Sequence, residues 1–256
     1  MSSTNERPLY TDTPLALLAT PAFLTGKKDP FTMGASHMTI SHNSLIRGFN
    51  SIYQQAPRIS SSDYEDFTGY CLAWHRCVEQ HHMHEEVNYF PEIERATGQK
   101  GVMDGEVEQH AAFHAGLKSF KDYLTSLKNP ATDFKAKKLL EVMDSFSEPL
   151  YTHLAAEPQA LLALSRFASP ERQFDITKIE KEQGKKAVTL DFALNTLPIF
   201  MNNMEVVEFE GGMWQNHPEV PSIVRWVMKS VLPLWNRKIW RFMSCDSAGR
   251  RKRLFA

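Results

Sequence analysis

The chain has 256 residues, 29 basic and 30 acidic, for a formal net charge of −1. That length fits one domain with an extension, or two small ones, and the charge balance excludes a global bias towards nucleic acid or membrane. No apolar run approaches the ~20 residues of a membrane span, the first residues lack a basic signal region, and three cysteines are an odd count of reduced, intracellular type. These features together set the expectation of a soluble, cytoplasmic protein.

Residues 1–32 carry Pro8, Pro14, Pro21 and Pro30 and read as an extended arm. From Met33 the period changes: Met38, His42, Leu45, Phe49 and Ile52 form the stripe of an amphipathic helix that ends near Pro57. Ser60–Asp63 supplies an N-cap for a second helix, with Phe67, Cys71, Trp74, Val78, His82, Tyr89 and Ile93 inward and Gly98 as its stop. A third helix spans about Met103 to Lys128, with Val107, His110, His114, Leu117 and Leu124 on one face, and Asn129-Pro130 ends it. The fourth carries Leu139, Met143, Phe146, Leu150, His153, Glu157, Leu161 and Leu164 at three-four spacing. Short connections between long amphipathic helices predict antiparallel neighbours. The fold class expected is all-α, an up-down four-helix bundle over 33–168.

Residues 169–256 are expected to form a linker and a Trp-rich extension that packs on the bundle. Within it, Trp226, Trp235 and Trp240 are expected to pack inward, with a partner-protein surface as the rival reading. The basic tail GRRKRLFA reads as a solvated terminus rather than a localisation signal.

Ten histidines are present, seven of them between residues 75 and 153. Each predicted bundle helix directs ligand-type residues inward: His42; His82 and Glu86; His110 and His114; His153 and Glu157. At i,i+4 spacing two such side chains stack one turn apart on one face, within reach of one ion. Burying them without compensation costs several kcal/mol each by order of magnitude. A pair of metal ions supplies the compensation, with carboxylates bridging and neutral imidazoles completing each shell. The run HHMHEE offers two pairs, His81/Glu85 and His82/Glu86. The helical phase places His82 nearest the aromatic stripe and slightly prefers Glu85, whereas bridging favours Glu86, one turn along from His82. Glu86 is therefore chosen, with Glu85 as rival. His37, His75, His81, His84 and His217 are expected at the surface or beside the ligands. Pro158 predicts a kink next to Glu157.

These residues, His42, H82xxxE86, H110xxxH114 and H153xxxE157, with Phe90-Pro91 after the glutamate pair, resemble the hemerythrin-like (HHE cation-binding) domain over about 36–168. The proline-rich arm and the Trp-rich tail are similar to fungal hemerythrin-like proteins. The resemblance implies a non-heme di-iron centre. His110, His114 and His153 would hold one iron, His42 and His82 the other, and Glu86 and Glu157 would bridge. Iron rests on the resemblance alone, since this donor set also suits zinc and manganese.

A histidine-rich site stabilises high-valent iron less than a carboxylate-rich one. The expected function is therefore binding or sensing of O2 or another small ligand (nitric oxide, peroxide), or of iron. The alternative is a di-iron oxidase or oxygenase acting on a small molecule, with the inward Tyr89 near the metals. A third reading is an interaction module in which the metal only sets the fold.

Overall fold

Two side-chain caps start the first helices in the computed structural model, which describes residues 7–256. Thr20 caps a short helix, α1 (Pro21–Thr25), and Asp29 caps α2 (Pro30–Gln55) by accepting from the Phe31 and Thr32 amides. Each helix has proline in its first turn, where a missing N–H leaves nothing unsatisfied. α2 thus begins at Pro30 rather than Met33, and α1 interrupts the expected arm. The first six residues of that arm lie outside the described residues.

The second expected helix is built in two pieces, α3 (Tyr64–His84) and α4 (Phe90–Thr97), joined by one π-helical turn over Glu85–Tyr89. Gly98 closes α4 at φ 66°, donating its amide to the Glu94 carbonyl, a left-handed cap that glycine adopts without steric penalty. α5 (Asp104–Ser126), a one-turn α6 (Pro130–Asp133) and α7 (Ala136–Ala163) complete the bundle.

α2, α3 with α4, α5 and α7 pack as an all-α bundle, with no strand among the described residues. One large ring from each helix meets at one level: Phe49, Trp74, Phe120 and Phe146. Successive centroids are 5.8, 5.5, 6.1 and 6.0 Å apart, all edge-to-face, the arrangement ring quadrupoles favour. Gly116 lets α5 and α7 close here, since a Cβ there would sit 2.4 Å from the Phe146 Cβ. A second apolar cluster, including Phe31, Met38, Tyr89, Phe90, Ile93 and Leu161, fills the other end. The histidine layer lies between these two plugs.

α2 is buried on its back as well as its front, including Asn43, Ser44, Arg47, Asn50 and Ser51. The arm runs along it through paired side-chain bonds. Asn43 accepts from the Leu18 amide at 2.9 Å and donates to its carbonyl at 2.8 Å, and Asn50 does the same for Leu15. Arg47 donates to Glu205 of the extension at 2.7 Å, both buried.

The extension forms α8 (Ile176–Ala187), α9 (Leu190–Asn195), α10 (Leu197–Asn202), α11 (Ser222–Trp226) and α12 (Arg237–Trp240). α8 packs against α2, α4 and the π turn, and α10 against α2 and α3. Trp240 is buried, but Trp226 is 56% and Trp235 66% exposed, which corrects the expectation for both. Pro233 withdraws an amide within 222–240, and this stretch folds as short α, π and 3-10 pieces. No single inward stripe can then form. The basic tail is tied down: Arg251 faces Glu208, and the Leu254 amide donates to the Pro8 carbonyl at 2.8 Å. No helix among the described residues is long and apolar enough to cross a membrane.

Candidate metal centre

Two clusters of ligand-type atoms fill the layer between the apolar plugs. One groups His82, Glu85, His110 and His153; the other groups His42, His81, Glu85 and Glu157. Within each, the four donor atoms lie within 4.8 Å of one another. Glu85 belongs to both.

Glu85, not Glu86, faces inward, the choice that helical phase slightly preferred. α3 keeps its regular phase from Phe67 through His82 to Glu85, and the π turn that begins at Glu85 re-aims only the residues after it. Glu85 is 1% exposed, with Oε1 3.0 Å from His81 Nε2 and Oε2 3.7 Å from His110 Nε2. The Glu86 side chain is 41% exposed and meets His110 Nδ1 at 2.7 Å from outside. α3 straddles both clusters, so adjacent histidines serve different ones: His81 faces His42, and His82 faces His110 and His153. His81 was expected off the site, and the structure places it inside.

His114 does not join the others. α5 turns Glu106, His110, Phe113, Leu117, Phe120 and Leu124 inward, leaving Val107 and His114 exposed. The phase is set by Phe113 and Phe120, the largest apolar side chains on α5, whose burial outweighs that of Val107. Glu106 takes the place one turn before His110, and its Oε2 sits 3.6 Å from His153 Nδ1. Its position on the Glu106-His110-Phe113-Leu117 stripe was the signal available in the sequence.

Glu157 is fully buried, its Oε2 3.2 Å from His42 Nε2 and 3.7 Å from His153 Nε2. α7 stays helical through Pro149 and Pro158, so Glu157 is not turned away. His37, His75, His84 and His217 belong to neither cluster. His37 instead pairs with Glu180 at 3.0 Å.

The donor set fits metal cations on three observations. First, imidazole nitrogens face each other directly: His42 Nε2 and His81 Nε2 at 3.1 Å, and His110 Nε2 and His153 Nε2 at 3.1 Å. His42 Nδ1 meets the Leu154 carbonyl at 2.7 Å and His110 Nδ1 meets Glu86. Both partners only accept, so each Nδ1 carries the proton and each Nε2 presents a lone pair. Second, both oxygens of Glu85 and of Glu157, with His82 Nε2 and His153 Nδ1, are buried without a hydrogen-bond partner. Such atoms are costly unless a cation satisfies them. Third, burial holds His82, His153 and His110 below the usual histidine pKa and His81 down to about 3, which keeps them in the neutral ligand form. Burial, then the Glu157 charge, raises Glu85 well above the carboxylate range and Glu106 to about 7. A cation reverses that penalty.

The hemerythrin HHE cation-binding domain model matches residues 33–165. A dimeric xanthone biosynthesis cluster protein of Cryptosporiopsis sp. (strain 8999) is 30% identical over 221 residues, covering 86% of this chain and 81% of that protein. No solved structure matches the chain. With the family matched across all four bundle helices and the cation-ready clusters lying inside that span, the chain belongs to the hemerythrin HHE cation-binding family.

Proposed function

We propose that the protein holds two iron ions in these clusters and uses the pair to bind or sense O2 or another small ligand. The observation that carries this reading is the Glu85 carboxylate, which alone among the described residues belongs to both four-donor groups and would serve both cations. Seven side chains then replace the sequence-based set: His42, His81, His82, Glu85, His110, His153 and Glu157. Glu86 leaves that set to orient His110, and His114 leaves it altogether. Zinc and manganese suit the same donors, and family membership is what favours iron.

When bound, each ion would take four protein donors and keep coordination positions for a small exogenous ligand. The protein's share is orientation and exclusion of water. Glu86 fixes the proton of His110 on Nδ1, and Leu154 does so for His42. Phe113 packs against the rings of His82, His110 and His153. Tyr89 is buried near Glu85 and Glu157, and desolvation raises its phenol, so it stays protonated as a hydrogen-bond donor. Phe200 of α10 lies 6.4 Å from the His81 ring, bringing the extension to the edge of the second cluster.

Iron-loaded protein, reduced without air, should change its visible absorption when air is admitted and regain the first spectrum when oxygen is removed. No change on admitting air refutes O2 binding.

The relative's name supports a second reading, in which the same centre acts on a small organic molecule. Oxygen consumption separates the two: a carrier or sensor takes up a fixed amount per chain, whereas an enzyme consumes oxygen continuously once its organic substrate is present.

A further inference from the structure

α7 contains a proline deep in the core beside a proposed ligand, an unusual choice that carries a strong helix penalty. Pro158 has no N–H, so the carbonyl four residues earlier, on Leu154, loses its helical donor. Leu154, Glu157 and Pro158 are all buried, so water cannot replace that donor. An unmatched carbonyl in such a place costs about 1–3 kcal/mol.

The missing donor comes from another helix. His42 Nδ1 of α2 reaches the Leu154 oxygen at 2.7 Å. Its other nitrogen then points at His81 Nε2 and Glu157 Oε2, 3.1 and 3.2 Å away, the donor atoms of the second cluster. A backbone carbonyl cannot donate, so this bond assigns one tautomer to His42 and leaves Nε2 free to ligate.

The same helix holds its own contrast. Pro149 likewise frees the carbonyl of Ser145, but Ser145 is exposed, where water satisfies it. The two clusters also orient their imidazoles differently. His110 leans on a carboxylate, Glu86, whereas His42 leans on a neutral carbonyl that is available because proline follows four residues later.

We propose that Pro158 is a positioning residue for the second cluster: by withdrawing its amide it reserves the Leu154 carbonyl for His42 Nδ1–H and thereby aims His42 Nε2 at the metal. The link to metal rests on the function proposed above; the link to the tautomer does not. Restoring an amide at 158 would make His42 share the carbonyl with a helical N–H in a weaker three-centre bond.

The test uses the full chain with Pro158→Ala, and Pro149→Ala as control. Histidine side-chain 15N shifts, read on metal-free protein and on protein loaded with zinc as a diamagnetic probe, report the His42 tautomer. Zinc affinity is read by competition with a chelator. In P158A the His42 Nδ1 resonance should move towards a tautomer mixture, and one of two zinc ions should bind about tenfold more weakly, the low end of the usual 10–100-fold effect of ligand-orienting groups. P149A should match the parent in both readings. A purely structural proline predicts instead that P158A melts higher with His42 shifts and both affinities unchanged, and that result overturns the proposal. If the parent binds no metal, the functional reading fails, while the shift of His42 in metal-free P158A still decides the role of Pro158.

Discussion

Replacing Glu85 by glutamine should change the sign of its effect on stability according to whether metal is present. The Glu85 carboxylate is 1% exposed and neither oxygen has a hydrogen bond. Without metal it is a buried charge, or a carboxyl forced to keep its proton, with no partner that satisfies it. A neutral isostere removes most of that penalty, and replacing poorly compensated buried charge commonly stabilises by about 1–4 kcal/mol. At about 2–4 °C per kcal/mol for a chain of this size, metal-free E85Q should melt roughly 5 °C above the parent at pH 8. With metal the effect reverses. Occupancy at a hundred times Kd adds about 2.7 kcal/mol per site, and Glu85 serves both sites, so E85Q forfeits about twice that. E86Q is the comparison. Glu86 only steadies His110 from a half-exposed position, so its loss should weaken one ion about 10–100-fold and leave the metal-free melting point nearly unchanged. Calorimetric melting with and without metal, paired with metal analysis of each variant, measures both. Metal retained in E85Q and lost in E86Q refutes the assignment of Glu85.

Three further outcomes follow. His114→Ala should leave metal content intact, whereas His81→Ala should lose at least one ion; metal analysis showing the reverse restores the sequence-based pairing. Arg47→Ala leaves buried Glu205 to the more distant Arg251, whose Nε is 3.6 Å away, and should destabilise the fold by about 2–3 kcal/mol, read by urea denaturation, and a change below about 1 kcal/mol contradicts that role. Metal-free protein should lose stability as pH rises from 7 to 8. Glu85 and Glu106, raised by burial, hold protons in the folded state that the unfolded chain releases above about pH 4.3. Their contribution is full at low pH and is lost as pH rises through the folded value, about 7 for Glu106. The depressed imidazoles of His81, His82 and His153 act oppositely, losing their contribution only as pH falls below about 6.5. Between pH 7 and 8 the raised groups decide, the two carboxyls together with His42, which despite burial Glu157 holds above the usual histidine range, at up to about 1.4 kcal/mol per proton per pH unit. Urea titrations at both pH values should show that fall, and metal should abolish it. Equal metal-free stability at the two values is the contrary result.

The bundle was legible because its four stripes are long, and each carries an aromatic ring that sets its phase at one level. The site was legible in its helices but not in every residue. Helical phase favoured Glu85 over Glu86, while assumed bridging geometry favoured the other, and the structure buries Glu85. His114 was drawn in by its spacing from His110, a spacing that holds on any face of a helix. Phe113 and Phe120, a stronger guide to the buried face of α5, place Glu106 there instead. Pro158 reads locally as a helix breaker, and only the contact with His42 from α2 shows what the freed carbonyl is for. The polar back of α2 looks solvent-facing until the arm and extension, distant in sequence, cover it.

On the function proposed above, this chain builds one coupled pair of metal ions around Glu85. Metal analysis together with Mössbauer spectroscopy of protein purified from iron-fed cells tests it most directly. Two irons per chain are expected, coupled through a bridge and giving no uncoupled ferric signal. Sub-stoichiometric zinc, or a single uncoupled iron, would contradict it.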